Sequence, residues 1–368
     1  MKIKVAFFVV GLNSGGTENY LLRFIKFYKS NIEATVYCKS GRIGELEDEY
    51  RKEGIRIKKF KIGYLNPLDL LRLKRELKVE NYAAIVDFTG NFAAFTMFFG
   101  KLSGIDKRII WYRNADDKFK KSTFKIIYNN IINKIARKYA SNILSNSQAA
   151  FNYFYKDYSW QKDRRFEVIY NGLDAKAFLS TKDDLRGEFN IPDKAFVIGN
   201  VGRFNEQKNH KTAIQVAITL CEENEDIYFI FCGKGVDEEY NSLIKERNLK
   251  HRIILTGMRR DIISVLNTMD CFYFPSILEG QPNALIEAMV AGVPFVSSDI
   301  EPVKETVPED LHRYLVPPLD QELAKSMILK IKKDTNYRNM FLIQDWAIHN
   351  FNSEVQFKKF YNKIENEI

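Results

Sequence analysis

The chain has 368 residues, 45% hydrophobic and 28% charged, without a low-complexity tract; this excludes a disordered or fibrous protein and leaves length for two cores. The net charge of +9 is unevenly held: residues 1–180 carry 33 Lys and Arg against 18 Asp and Glu, or +15, and the remainder 23 against 29, or −6. Cys38, Cys221, Cys232 and Cys271 are widely spaced and lack a CxxC pair or a histidine cluster, so they predict reduced thiols in a reducing cytoplasm and argue against metal ligation.

The N-terminal "MKIKVAFFVVGLNSGG" sets two lysines before an apolar run, as a secretion signal does, but the run is short and no small-residue cleavage site follows. A buried first strand is expected instead. From there, short β-branched or aromatic runs alternate with helix-patterned segments, the signature of α/β architecture with parallel sheets covered on both faces. Strands are expected near 2–10, 33–39, 55–62, 83–88, 108–113, 142–146 and 166–170. The apolar region around Phe92 to Phe99 falls well below the ~20 residues that span a bilayer, so membrane contact would be peripheral.

"KFKKSTFKIIYNNIINKIARKY", Lys118 to Tyr139, interleaves lysines with Phe, Ile and Tyr at near-helical spacing. Two readings stay open: an interfacial helix on an anionic membrane, or a core-packed amphipathic helix with a solvated basic face. After "IYNGLDAKAFLSTKDDLRGEFNIPD", a linker by its Gly, Asp and Pro content, a second strand series is expected near 196–202, 227–232, 253–256, 271–275, 294–298 and 313–316. Two Rossmann-like domains follow, 1–172 and 173–346.

Ligands of such sheets bind at the carboxyl ends of strands. "GLNSGGTE" offers Gly15 and Gly16 before a helix N-terminus, where an anion could approach the backbone, although such turns also cap strands that bind nothing. In "NVGRFNEQKNH", Arg203 and Lys208 would suit a diphosphate or be two solvated surface cations. "EGQPNALIE" poses the sharpest question. Pro282 suits a first helical residue, so that Asn283, Ala284 and Leu285 would present N–H groups to an anion. Glu287, one turn past Asn283, is the only charge in "ALIEAMVAGVPFV", and a ribose diol would supply donors to it. Glu279 would reach the sugar end of the same ligand. Each glutamate could otherwise serve as a helix-dipole partner or a solvated loop charge.

At these residues the chain resembles glycosyltransferase family 4, retaining enzymes of GT-B fold, in which two Rossmann-like domains face each other across a cleft. The E-x7-E spacing of Glu279 and Glu287, "EAMVAGVPFV", "GRFNEQKN", "IYNGLD" and "GGTE" occur in the family's order over essentially the full chain. The resemblance implies that Arg203 and Lys208 hold the donor diphosphate, Glu287 the ribose and Glu279 the donor sugar, with Gly16 allowing approach to the phosphates. Gly15, Gly233, Gly257, Met258, Gly280, Gln281, Asn283, Ala284 and Leu285 complete the expected donor site. It also implies that the first domain binds acceptor and that a final helix, about 347–368, packs back on it. Two departures stand out. Arg113, followed by Asn114, occupies a place where many relatives carry histidine; a guanidinium is no general base at neutral pH, so these two are read as contacts to donor sugar or acceptor. Gln281 replaces a residue that is commonly aromatic or apolar.

The expected reaction is transfer of a hexosyl unit from a nucleoside diphosphate sugar, UDP-linked, to a hydroxyl of a lipid-linked saccharide in bacterial surface polysaccharide synthesis. The resemblance implies retention, with a donor phosphate oxygen taking the hydroxyl proton. No cofactor or metal is expected, since the Asp pairs at Asp116 and Asp183 lack DxD spacing. The expected place is the inner face of the cytoplasmic membrane. A sugar-nucleotide epimerase and a non-catalytic nucleotide-sugar-binding subunit are the competing readings; without an RNA or DNA motif, the basic charge does not make nucleic acid a partner.

Overall fold

The computed structural model describes residues 2–13, 15–63, 66–113, 123–334 and 343–365. The chain divides into two units, Met1–Gly172 with Glu354–Ile368, and Leu173–Ser353.

The first unit holds a parallel sheet of β1 (Ile3–Val9), β2 (Ile32–Cys38), β3 (Arg56–Lys59), β4 (Ala84–Asp87), β5 (Lys107–Tyr112), β6 (Asn142–Ser145) and β7 (Phe166–Val168), in the order β3-β2-β1-β4-β5-β6-β7. Strand alternation divides its side chains between two cores. Val5, Phe7, Val9, Val86 and Trp111 enter one core, while Ala6, Phe8, Ile85 and Tyr112 enter the other. The helix Ser353–Ile364 supplies Phe357, Phe360, Tyr361 and Ile364 to the first of these cores, a spacing that lines one helical face.

The second unit carries β8 (Phe196–Val201), β9 (Ile227–Cys232), β10 (Ile253–Gly257), β11 (Cys271–Phe274), β12 (Phe295–Ser298) and β13 (Leu315–Val316), ordered β10-β9-β8-β11-β12-β13 and parallel throughout. The order reverses between β8 and β11, which makes the loops after these strands the walls of the crevice where doubly wound sheets bind ligands. This unit runs to Ser353, beyond the expected end at 346. The helix Ile343–Asn350 belongs to it, with Gln344 Nε2 donating to the Val290 carbonyl at 2.7 Å, and Leu173 N donates to the Phe351 carbonyl at 2.8 Å. All four cysteines are buried and unbridged, and burial raises the thiol pKa of each.

Candidate active site

The loop after β8 is shaped by two asparagines. Asn205 Oδ1 accepts from Lys208 N at 3.0 Å, and this side-chain turn shapes the single 3-10 turn Glu206–Lys208. Asn209, at φ +52°, donates through Nδ2 to the carbonyls of Pro275 at 3.1 Å and Pro318 at 2.8 Å, and starts the helix His210–Glu223. Lys208 is thereby aimed across the reversal point. Its ammonium donates to Glu279 Oε1 at 2.5 Å and lies 5.0 Å from the centroid of the Phe274 ring. Arg203, in the same loop, is exposed.

Neighbouring loops are laced to this one through backbone. Gly202 N donates to Cys232 O, Phe204 N to Lys234 O, Gly233 N to Gly257 O and Ile277 N to Gln207 O, all at 2.8–2.9 Å. Glycine is required for such an approach: a Cβ at Gly233 would stand 2.0 Å from the Gly202 carbonyl oxygen. Gly257 adopts φ +65°, and Met258 beyond it is exposed. His210 is buried and its Nε2 lies 3.1 Å from the Gly202 carbonyl; burial is the main cause that lowers its pKa to about 4.

The loop after β11 differs from the sequence expectation in one respect. Pro282 precedes the helix, which spans Asn283–Val290, and Asn283 N donates to the Gln281 carbonyl at 2.9 Å. Of the three N–H groups expected to face an anion, that of Asn283 is therefore committed within the turn. Ala284 and Leu285 lie in the first helical turn, whose N–H groups precede any intrahelical acceptor. Gly280 and Glu279 are half-buried in the loop, Gln281 is buried, and Glu287 is half-buried within the helix.

In the first unit, Gly15 precedes the helix Gly16–Phe27 in extended backbone, and a Cβ on it would meet Glu18 Oε2 at 2.6 Å. Arg113 follows β5, with its guanidinium 4.4 Å from the centroid of the Tyr20 ring. Burial pushes its pKa down to about 10, still protonated at neutral pH. Asn114 and Asp116 lie outside the described residues. Among the described residues no group of three or more His, Cys, Asp or Glu side chains is placed to hold a metal ion.

The second unit thus joins Lys208 to Glu279 and gathers the expected positions Arg203, Gly233, Gly280, Gln281 and Glu287 on the loops or helix that follow β8, β9 and β11, with Gly257 at the carboxyl end of β10. Gly15, Gly16 and Arg113 belong to the first unit. Sequence reading missed the aromatic floors, Phe274 under Lys208 and Tyr20 under Arg113, and missed Asn205 and Asn209, whose side chains shape the cationic loop. The signal available was "FNEQKN", two asparagines flanking a short turn at the end of a strand.

The family model for "Glycosyl transferases group 1" matches residues 181–343, and that for "Glycosyltransferase Family 4" matches residues 14–177. The chain is 27% identical over 312 residues to the capsular polysaccharide biosynthesis glycosyltransferase CapH of Staphylococcus aureus, covering 81% of this chain and 82% of the relative. It is 23% identical over 306 residues, 80% of each chain, to the N-acetylgalactosamine-N,N'-diacetylbacillosaminyl-diphospho-undecaprenol 4-alpha-N-acetylgalactosaminyltransferase of Campylobacter jejuni. Among solved structures it resembles Anabaena Alr3699/HepE in complex with UDP and glucose, with a TM-score of 0.79 and 20% identity, over 98% of this chain and 99% of that one.

Proposed function

The chain belongs to the group 1 and family 4 glycosyltransferases of GT-B fold, and we propose that it moves a hexosyl unit from a UDP-sugar to a hydroxyl of a lipid-linked saccharide in bacterial surface polysaccharide synthesis. The observation that carries this reading is the Lys208–Glu279 pair at the reversal point of the second sheet, with Arg203 in the same loop as Lys208. A donor diphosphate lying over these loops would meet two cations and the first-turn N–H groups of Ala284 and Leu285. Those charges oppose the negative charge that grows on the departing UDP, a task that other enzymes give to a bound metal ion, so the transfer is read as metal-independent. Glu287 would take the ribose and Glu279 the sugar hydroxyls while holding Lys208. A donor phosphate oxygen would accept the proton of the incoming hydroxyl on the face that UDP leaves, giving retention at the anomeric carbon. Arg113 then needs no role as a base.

The acceptor side rests on the surface of the first unit. Helices Pro67–Glu80, Ala94–Leu102 and Thr123–Tyr139 pack side by side. They leave Leu68, Leu71, Val79, Leu102, Ile126, Ile127 and Ile131 exposed among exposed cations such as Lys74, Arg75, Lys78, Lys101, Lys134 and Lys138. Both readings of the basic helix find support, since Ile132 and Ala136 pack into the core while the opposite face stays apolar and basic. Its residues 118–122 lie outside the described residues. Exposed apolar side chains ringed by lysine and arginine suit an anionic bilayer surface, the inner face of the cytoplasmic membrane. Among the described residues no helix is long and apolar enough to cross a membrane.

A thermal-shift panel of nucleotide sugars tests the donor, because a ligand bound only by the folded state raises the melting temperature. A UDP-sugar is expected to stabilise the protein and to release UDP only when a saccharide acceptor is added. Stabilisation by none of the panel, or conversion of the sugar without acceptor, refutes the transfer reading. Co-sedimentation tests the surface: equal partitioning to anionic and neutral vesicles at low salt removes the electrostatic part of it.

A further inference from the structure

Among the described residues of the first unit, the buried donor atoms without a hydrogen-bond partner are Ser103 Oγ and four that form one cluster: Tyr20 Oη, Trp111 Nε1, and Arg113 Nε and Nη1. The Arg113 guanidinium lies 4.4 Å from the centroid of the Tyr20 ring and 5.3 Å from that of Trp111, and the two rings are 5.3 Å apart. A buried donor left unpaired is destabilising, and a buried cation without a hydrogen-bonding partner is more so. The group whose chemistry answers this deficit offers only acceptors and carries negative charge.

Position and charge agree. Arg113 follows β5 at the carboxyl edge of the first sheet, the edge on which Gly15 and the first turn of the helix Gly16–Phe27 also lie. Among the described residues, Glu18 and Arg23 act on Arg113 electrostatically with opposite signs. Arg113 keeps 8% of its surface accessible while Tyr20 and Trp111 keep none. Of the three residues Arg113 is therefore the one a ligand would meet, and the rings fix the plane of its guanidinium. A planar fork of N–H groups held in this way matches two oxygens of one anion.

We propose that Arg113, set on Tyr20 and Trp111, is a recognition site for an oxyanion of the acceptor, either a phosphate of its lipid link or a carboxylate of an acidic sugar. The assignment rests on the glycosyl-transfer reading and names the substrate class: an acceptor that is charged close to the reacting hydroxyl.

The test uses the full chain saturated with UDP, so that the second unit's cations are already engaged. The Arg113 Nε–Hε NMR signal, assigned by its loss in Arg113→Lys, is followed during separate titrations with inorganic phosphate and with glucuronate. Movement with phosphate alone assigns the lipid link, movement with glucuronate alone assigns an acidic sugar, and movement with both supports the site for either source. Arg113→Met should weaken binding of the active probe by about tenfold or more. Because that variant removes an uncompensated charge, its ligand-free melting temperature should hold or rise. A signal unmoved by both probes in UDP-bound protein overturns the site while leaving the donor assignment intact. A lower melting temperature in Arg113→Met with undiminished probe binding overturns it equally. If UDP fails to bind but the Arg113 signal still moves, the transfer reading falls and the oxyanion site stands.

Discussion

Lys208 Nζ and Glu279 Oε1 lie 2.5 Å apart, one residue on each side of the point where the strand order of the second sheet reverses. A donor phosphate must therefore share Lys208 with a carboxylate that is already bound to it. Lys208→Met and Glu279→Gln should each lower kcat by about 10²-fold to 10³-fold, the range for losing one preorganised group at a developing charge. The double variant should lose little more than either single one, because the two act as a unit. Steady-state kinetics on all three variants decides this: a double loss equal to the product of the single losses would mean independent roles.

Arg203 is exposed, so Arg203→Ala should change folding stability by less than about 0.5 kcal/mol. Its affinity for UDP should nevertheless fall about tenfold, and the dependence of that affinity on salt should weaken. Calorimetric titration of UDP at low and high salt checks both. Wild-type affinity would place the diphosphate elsewhere.

His210 links stability to pH. Burial lowers its folded pKa to about 4, below the usual unfolded value of about 6.5. The unfolded chain thus binds the proton first, and stability is lost as pH falls from about 6.5 towards 4. Between about pH 7.5 and 5 the loss from this one group should be about 2 kcal/mol. Urea midpoints for wild type and His210→Gln should converge as the pH is lowered; parallel curves would show that this imidazole does not titrate on unfolding.

Lys39 and Asp87 form a buried ion pair at the carboxyl ends of β2 and β4. The ammonium donates to Asp87 Oδ2 at 2.9 Å, Thr89 Oγ1 at 2.9 Å and the Phe92 carbonyl at 2.6 Å, which uses all three of its protons. Lys39→Met leaves the Asp87 carboxylate without its cation and should cost about 3–5 kcal/mol in urea unfolding. A loss under about 1 kcal/mol would show that Thr89, which donates to Asp87 Oδ1 through both N and Oγ1, suffices alone.

The strands were legible because parallel strands buried on both faces must be runs of apolar and β-branched residues, and "IKVAFFV" and "IYFIFC" are such runs. Residues 313–316 were harder: the 3-10 turn Glu309–Tyr314 occupies the first half of that segment and leaves Leu315–Val316 as the strand. Single loops in the candidate site were legible for the same reason that strand ends were. Their pairings were not, since the proximity of Lys208 to Glu279 depends on β8 lying beside β11, and that of Arg113 to Tyr20 depends on contacts between distant segments. Pro282 misled because the turn N–H that it seemed to free, that of Asn283, closes back on Gln281.

The helix Ser353–Ile364 lays Phe357 and Phe360 against Tyr20 and Phe24, so a core begun by the earliest strand is finished by residues that leave the ribosome more than three hundred positions later. During synthesis the second unit is complete before the first can close. A nascent chain stalled near residue 350 would carry an unsealed apolar face, a target for chaperones until translation resumes.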